Sequence, residues 1–344
     1  MNRLIRIMDM VDSKTSPTVS VAIATYNGED YLSEQLDSIL NQSRSPDEII
    51  ITDDCSTDRT PDVLSHYEAE YPDIISVFEN EENVGVTKNF SKSIQLTSGD
   101  LIFLSDQDDV WSQDKIKTQI QTMYSTNSVL SFHNSTLVTE DKYDIGDFWS
   151  SLVFSPTSIQ ESETWISSLL FRNFIQGATI AMDHRLKKQV LPIPEQWEHD
   201  YYIALKAALV GSISVINKEL MMYRQHGNQV TGSPAPDTVM KIHNALQNGK
   251  ENYNPDPEKW VILMKEVESM SEDELRLPSQ PVIDILESRI RFERNRRVIY
   301  RGGSNYTIKT TSIAKNLLNG RYSQFGYGPF GLLSTVRDII SSFP

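Results

Sequence analysis

Four apolar runs, three of them ending at a polar cluster, constrain this chain more than any other feature. VSVAIAT (19–25), EIIIT (48–52), ISVFEN (75–80) and LIFLS (101–105) read as strands, and amphipathic segments alternate with them. Tyr31, Leu32, Gln35, Leu36, Ile39 and Leu40 keep helical spacing. A second helix starts near Pro61, Phe90, Ile94 and Leu96 mark a third, and Ile116, Ile120 and Met123 a fourth. Strands that are apolar throughout, separated by helices, predict a parallel sheet covered on both faces. In open α/β sheets ligands bind beyond the carboxyl ends of the strands. Thr25-Tyr26-Asn27, Asp53-Asp54 and Asp106-Gln107-Asp108-Asp109 follow the first, second and fourth strands, so all three clusters fall at that edge.

The last cluster is the least expected. Asp is a poor residue for strands and helix interiors, and three carboxylates in four positions repel one another. An apolar strand aims them at the ligand edge, which predicts a positive partner rather than a solvated turn. No GxGxxG follows the first strand and no GxxxxGK[ST] occurs, which excludes a dinucleotide fingerprint and a P-loop. The DxD of an aspartyl-phosphate enzyme is also absent after the first strand, where Thr25-Tyr26-Asn27 stand. Tyr26 suits stacking on a base, and a carboxylate can accept from a pyrimidine N3–H or a ribose hydroxyl. Carboxylates beside a diphosphate require a divalent cation between the anions, and hard oxygen ligands favour Mg²⁺ or Mn²⁺.

VSVAIATYNGEDYLSEQLDSILNQS, EIIITDDCSTDRT and NEENVGVTKNFSKSIQLTSGDLIFLSDQDDVW occur in that order over residues 19–111. Together they resemble the nucleotide-sugar domain of family-2 glycosyltransferases. QGAT (176–179), WEHDYYIAL (197–205) and YRQHGNQVTG (223–232) extend the likeness, and DQDDVW with YRQHGN is most similar to bacterial rhamnosyltransferases of surface polysaccharides. Two positions depart from the family: Cys55 where Gly is usual, expected to matter little because Cys is small, and Ala178 where Cys is common.

The resemblance implies an α/β GT-A fold, a Rossmann-like central mixed sheet flanked by helices, with a helical C-terminal extension. It further implies that Tyr26, between Thr25 and Asn27, lies against the base, that Asp54 accepts from its N3–H, and that Asp53 supports the turn. Lys88 would reach the nucleotide, Asp106 the ribose, and Gln107 would belong to the same nucleotide-sugar site. Asp108 and His226 would hold the metal, Asp109 and Trp111 shape the loop, and Arg224 close over the diphosphate. Asp200 would be the catalytic base of an inverting transfer. The implied donor is dTDP-L-rhamnose or a UDP-sugar, and the acceptor a glycan or lipid-linked glycan. A non-catalytic sugar-nucleotide-binding module is the rival reading, and it would not need Asp200.

The length of 344 residues fits one large α/β unit with a helical appendage. TWISSLLF (164–171) reads as helix, IQGATIAM (175–182) as strand, 200–209 as helix, and ISVI and ELMMYRQ as two strands. Helices are expected around 236–248, 256–270 and 281–300. These patterns divide the chain into an N-terminal extension (1–18), a catalytic domain (19–233) and a mainly helical region (234–344).

A single cysteine, Cys55, permits no internal disulfide, and the first seventeen residues lack the pattern of a secretory signal. Cytoplasmic residence is therefore expected. The net charge of −15 is uneven: Arg289, Arg291, Arg294, Arg296, Arg297, Arg301, Lys309, Lys315 and Arg321 face only Glu293, a segment of +8 that leaves −23 elsewhere. An acidic body argues against nucleic-acid binding, which wants a broad basic face. The basic segment, with the apolar FGYGPFGLL (325–333) after it, reads as a solvated helix face, an oligomer contact, or a peripheral contact with an anionic membrane.

Overall fold

The computed structural model describes residues 16–152, 154–156, 162–226, 256–300 and 306–319, together with Arg321, Thr335 and Asp338. The described residues of Met1–Ser158 and Phe174–Ser233 form one compact unit, and those of Ile159–Asn173 and Pro234–Pro344 a second.

In the first unit β1 (Val19–Thr25), β2 (Glu48–Asp53), β3 (Ile75–Glu79) and β4 (Leu101–Ser105) alternate with α1 (Leu32–Leu40), α2 (Thr60–Glu70) and α3 (Val86–Leu96). These strands are parallel in the order β3-β2-β1-β4. The period of two in a strand explains why both faces are apolar. Val19, Val21, Ile23, Ile49, Ile51 and Phe103 cluster with Leu32, Leu36 and Ile39 of α1 and Leu64 of α2. Ala22, Ile50, Ile102 and Leu104 are buried too, and α3 packs across β1 and β2 with Phe90 and Ile94 fully buried. Burying such side chains contributes about 1.5–3 kcal/mol each, so β1 has little freedom to slip.

Beyond β4 the sheet becomes mixed. β5 (Val110–Trp111) and α4 (Lys115–Thr126) precede β6 (Leu130–Thr139), β7 (Asp144–Asp147) and α5 (Phe148–Leu152). After α6 (Ser162–Phe171) come β8 (Ala181–Asp183), α7 (Lys187–Val190), α8 (His199–Val210) and β9 (Ile213–Gln225). The complete order is β3-β2-β1-β4-β8-β6-β9-β5, with β7 beside β6. β8 runs antiparallel to β4, and β5 pairs with β9 through Val110–Met222 and Trp111–Met221.

Two local expectations change, and one strand was not anticipated. The stretch 175–182 is not one strand: Gly177–Thr179 form a 3₁₀ turn, closed by Thr179 Oγ1 donating to Gln176 O at 2.7 Å, and only Ala181–Asp183 is extended. The two strands expected from ISVI and ELMMYRQ are one, because a bulge absorbs Asn217 and Lys218 between the pairs His133–Ile216 and Asn134–Glu219. β6 carries no continuous apolar signal, since His133, Asn134 and Ser135 are buried polar residues in its middle.

In the second unit α6 belongs with α9 (Pro257–Ser269), α10 (Ser279–Tyr300) and α11 (Tyr306–Leu318). Asp256 accepts from Glu258 N at 3.1 Å and Pro257 opens α9, a conventional helix start. The basic segment is not uniformly solvated. Arg296 is buried and grips Asp338 through Nε (2.8 Å) and Nη2 (2.7 Å), and Tyr300 donates to the same carboxylate at 2.8 Å. Arg289 pairs with buried Glu293 at 2.8 Å and lies over the Trp260 ring at 4.8 Å. These two arginines work inside the helical unit because desolvated charges persist only when paired. The helix expected at 236–248 and the apolar stretch 325–333 lie outside the described residues, as do residues 1–15. Among the described residues no helix is long and apolar enough to cross a membrane.

Candidate functional site

The parallel register brings the first two clusters together. Thr25 and Asp53 are paired residues, and Thr25 Oγ1 donates to Asp53 at 2.7 Å. Asp53 also accepts from Ser56 N (2.8 Å) and Ser56 Oγ (2.7 Å), so it braces the turn after β2. Asn27, at φ 49°, accepts from Thr57 N at 2.8 Å and joins the two loops. Asp54 is buried and reaches the other way, accepting from Asn80 Nδ2, Val84 N and Gly85 N, each at 2.8 Å. Tyr26 is left 46% exposed, free to lie against a ligand. Lys88 is exposed and pairs with Glu195 at 2.8 Å, which raises its pKa. Cys55 sits at φ 63°. The family's Gly is therefore explained by backbone conformation more than by side-chain size.

The acid cluster lies at the end of β4. Burial, with the charges of Asp108 and Asp200, pushes Asp106 up to about 7, against the pull of Lys115. Asp109 is fully buried, and among the described residues its carboxylate oxygens meet no side-chain donor. Burial and the neighbouring Asp108 and Asp106 raise its pKa well above the ordinary value. The cation that faces this group is Lys115, the first residue of α4, itself fully buried. Its Nζ donates to Ala178 O at 2.6 Å and lies 3.4 Å from the Trp111 ring centroid. Burial lowers its pKa well below the usual value, opposed by Asp109 and Asp106.

The end of β9 closes the site. His226 Nε2 meets Asp108 Oδ2 at 2.8 Å, and the His226 ring packs 4.7 Å from Tyr31. Arg224 is buried with all three guanidinium nitrogens engaged: Nε on Asp108 O (3.0 Å), Nη1 on Glu140 O (2.6 Å) and Nη2 on Glu34 (2.6 Å). In this arrangement Arg224 braces the acidic loop rather than presenting a free fork to a diphosphate. Tyr31 donates to Glu140 at 2.8 Å, and burial plus that carboxylate push its pKa up to about 12.

Asp200 stands in the first turn of α8 and accepts from Tyr201 N at 2.5 Å. Its charge acts on Asp106, so two carboxylates from distant parts of the chain face one region. Neighbouring His199 stacks on Phe90 with centroids 3.9 Å apart, and burial depresses its pKa to about 3. It is therefore neutral, which removes it as a competing acid or base near neutral pH. A Cβ on Gly177 would lie 2.6 Å from His199 Nε2 and 3.5 Å from Asp200 Cβ, so the QGAT turn backs directly onto this pair.

The fold thus draws Asp106, Asp108, Asp200, Arg224 and His226 together, while Lys88 pairs with Glu195. Lys115, Tyr31 and Glu34 were not expected in the site. The available signal for Lys115 was its i, i+4, i+8 spacing with buried Gln119 and Met123. Among the described residues no three His, Cys, Asp or Glu side chains converge as a ready metal cage.

The family model for glycosyl transferase family 2 matches residues 20–168. The dTDP-rhamnosyl transferase RfbG of Shigella flexneri is 31% identical over 228 residues, covering 61% of this chain and 74% of that protein. The chain belongs to glycosyl transferase family 2. The putative teichuronic acid biosynthesis glycosyltransferase TuaG of Bacillus subtilis is 33% identical over 178 residues, 52% of this chain and 66% of TuaG. An uncharacterised protein of Mycobacterium tuberculosis is 28% identical over 228 residues, 64% of this chain, and the match spans 62% of that relative's length. Among solved structures, residues 1–349 of S. aureus TarS in complex with UDP-GlcNAc superpose with a TM-score of 0.57 at 16% identity, covering 94% of this chain and 89% of that one. That likeness concerns the fold alone, the GT-A fold.

Proposed function

We propose that this family-2 glycosyltransferase is a metal-dependent, inverting enzyme. It would move L-rhamnose from dTDP-L-rhamnose to a hydroxyl of a growing, lipid-linked bacterial surface polysaccharide. The observation that carries the reading is Asp200, held at the start of α8 with its charge on Asp106. Asp200 would thus offer a carboxylate to accept a proton close to the acidic loop that would hold a nucleoside diphosphate.

Tyr26 would stack on the pyrimidine, flanked by Thr25 and Asn27, with Asp53 holding the turn. Asp54 Oδ2 takes one bond from Gly85 N and keeps a lone pair for N3–H. Asp106 would accept from the ribose, and Lys88 would exchange Glu195 for the nucleotide. A divalent Mg²⁺ or Mn²⁺ ion suits the donor set: Asp108 offers a hard oxygen and His226 an imidazole nitrogen, 2.8 Å apart. When bound, the ion would offset the charge developing on the leaving diphosphate. Arg224 contributes by fixing the backbone of Asp108, and Asp200 takes the acceptor proton as the new bond forms. A single base opposite the leaving group gives inversion, so a β-linked donor yields an α-rhamnoside.

The choice of donor is supported by the relative named as a dTDP-rhamnosyl transferase. A panel of dTDP-rhamnose, UDP-glucose, UDP-galactose and UDP-N-acetylhexosamines, read by release of nucleoside diphosphate, tests it. Turnover restricted to UDP-sugars would replace rhamnose with a hexose or N-acetylhexosamine, and binding without turnover would favour a non-catalytic module. We further propose cytoplasmic residence with peripheral contact to an anionic leaflet through the basic segment. Arg289 and Arg296 are committed to internal pairs, so the attraction falls to the other cations. Salt-sensitive co-sedimentation with anionic vesicles would support this contact, and indifference to them at low salt would end it.

A further inference from the structure

We propose that Gln107 is a positioning residue that locks the base-facing loop after β1 to the acidic loop after β4, so that donor affinity depends on an amide that need not touch the donor. This rests on the donor site proposed above. β1 and β4 are parallel neighbours whose ladder ends at Ile23–Ser105. Past that point the backbones can no longer pair, yet the contact continues through one side chain. Gln107 Oε1 accepts from Tyr26 N at 2.8 Å and Gln107 Nε2 donates to Tyr26 O at 3.0 Å. An amide is the group that satisfies both, since it carries an acceptor and a donor side by side. The two bonds fix the backbone of Tyr26, the half-exposed ring at the site. They also tie it to a residue lying between Asp106 and Asp108.

An independent observation supports the lock. A Cβ on Gly28 would lie 2.4 Å from Gln107 Oε1 and 2.5 Å from Gln107 Cδ. Gly28 carries no positive φ among the described glycines, so its role is space. Glycine at 28 and glutamine at 107 are therefore one device. A side chain at 28 must push against the Gln107 amide that holds Tyr26, and truncating Gln107 removes the three atoms nearest to such a side chain.

The test is a double-mutant cycle on the full-length protein with Gly28→Ala, Gln107→Ala and the combination. Two readouts are needed: denaturant unfolding, and binding and turnover of the donor that the panel identifies. Each single variant is expected to raise the donor KM about tenfold, the loss of a pair of backbone hydrogen bonds, with a smaller change in kcat. Adding Gly28→Ala to Gln107→Ala should cost nothing further in stability or KM. Gln107→Glu keeps the acceptor but sets a carboxylate against Tyr26 O, so it should fall below Gln107→Ala in donor affinity. Additive effects of the two single substitutions, or an unchanged KM in Gln107→Ala, would overturn the proposal. If the parent protein binds no nucleotide sugar, the functional reading fails, while the stability cycle still reports whether the lock exists.

Discussion

His199 offers a quantitative check on the packing around the proposed base. Its imidazole stacks on Phe90 at 3.9 Å, the QGAT turn blocks its Nε2 edge at Gly177, and burial alone depresses its pKa from 6.5 to about 3. Unfolding restores the ordinary value. Between pH 6.5 and about 3 the unfolded chain therefore binds a proton that the folded chain refuses. Stability rises with pH wherever the unfolded state binds more protons, so this group costs stability as pH falls below 6.5. At pH 5 the deficit is 1.5 pH units at about 1.4 kcal/mol each, or about 2 kcal/mol. Replacing His199 with Gln removes the titration and retains a side chain of similar reach. Denaturant unfolding of both proteins at pH 7 and pH 5 gives the comparison. The parent should lose about 2 kcal/mol more than the variant over that interval, and the gap should be absent above pH 7. Equal losses would mean that His199 is accessible to protons in the folded state. It would then return as a candidate for proton transfer beside Asp200.

Asp200→Asn keeps the shape of the first turn of α8 but cannot take a proton; transfer should fall by at least ~10²-fold while donor binding persists. Near-normal transfer would redirect attention to Glu198. Asp108→Ala removes the partner of His226, and turnover stimulated by Mg²⁺ or Mn²⁺ should vanish while the circular dichroism spectrum is retained. Ordinary metal-stimulated turnover in that variant would remove Asp108 from the metal site. Cys55→Gly should raise stability by about 0.5–1 kcal/mol, because a non-glycine residue at positive φ costs about 1–2 kcal/mol and glycine returns part of that as chain entropy. An unchanged or lower denaturation midpoint would show that the Cys55 side chain makes a compensating contact.

Legibility followed the physics of each element. β1 to β4 and their helices were readable because a strand buried on both faces must be apolar at every position, a pattern that charge interrupts only at its end. For the same reason Asp106, Asp108 and Asp109 stood out. β6 was not readable, because His133, Asn134 and Ser135 are buried in its middle, and Asn134 and Ser135 find partners in Asp147, Trp149 and Gln176, which are distant in sequence. The continuity of β9 was hidden by its bulge, which a periodicity of two reads as a break.

Arg224 shows the deeper limit. Its place at the strand end was visible from residue order, and a cation there invites a phosphate. Whether that cation is available depends on Glu34, Glu140 and the carbonyl of Asp108, which converge on it only in the folded chain. Lys115 makes the same point in reverse: it looks like an ordinary helix-start lysine and is buried against the acids. Sequence thus located the carboxylates, while the balance of positive charge around them came from tertiary packing. That balance is what the proposed mechanism depends on. With Lys115 turned to Ala178 and Trp111 and Arg224 held by oxygens of the protein, a diphosphate arriving beside Asp106 and Asp108 still needs positive charge of its own, and a divalent ion would supply it.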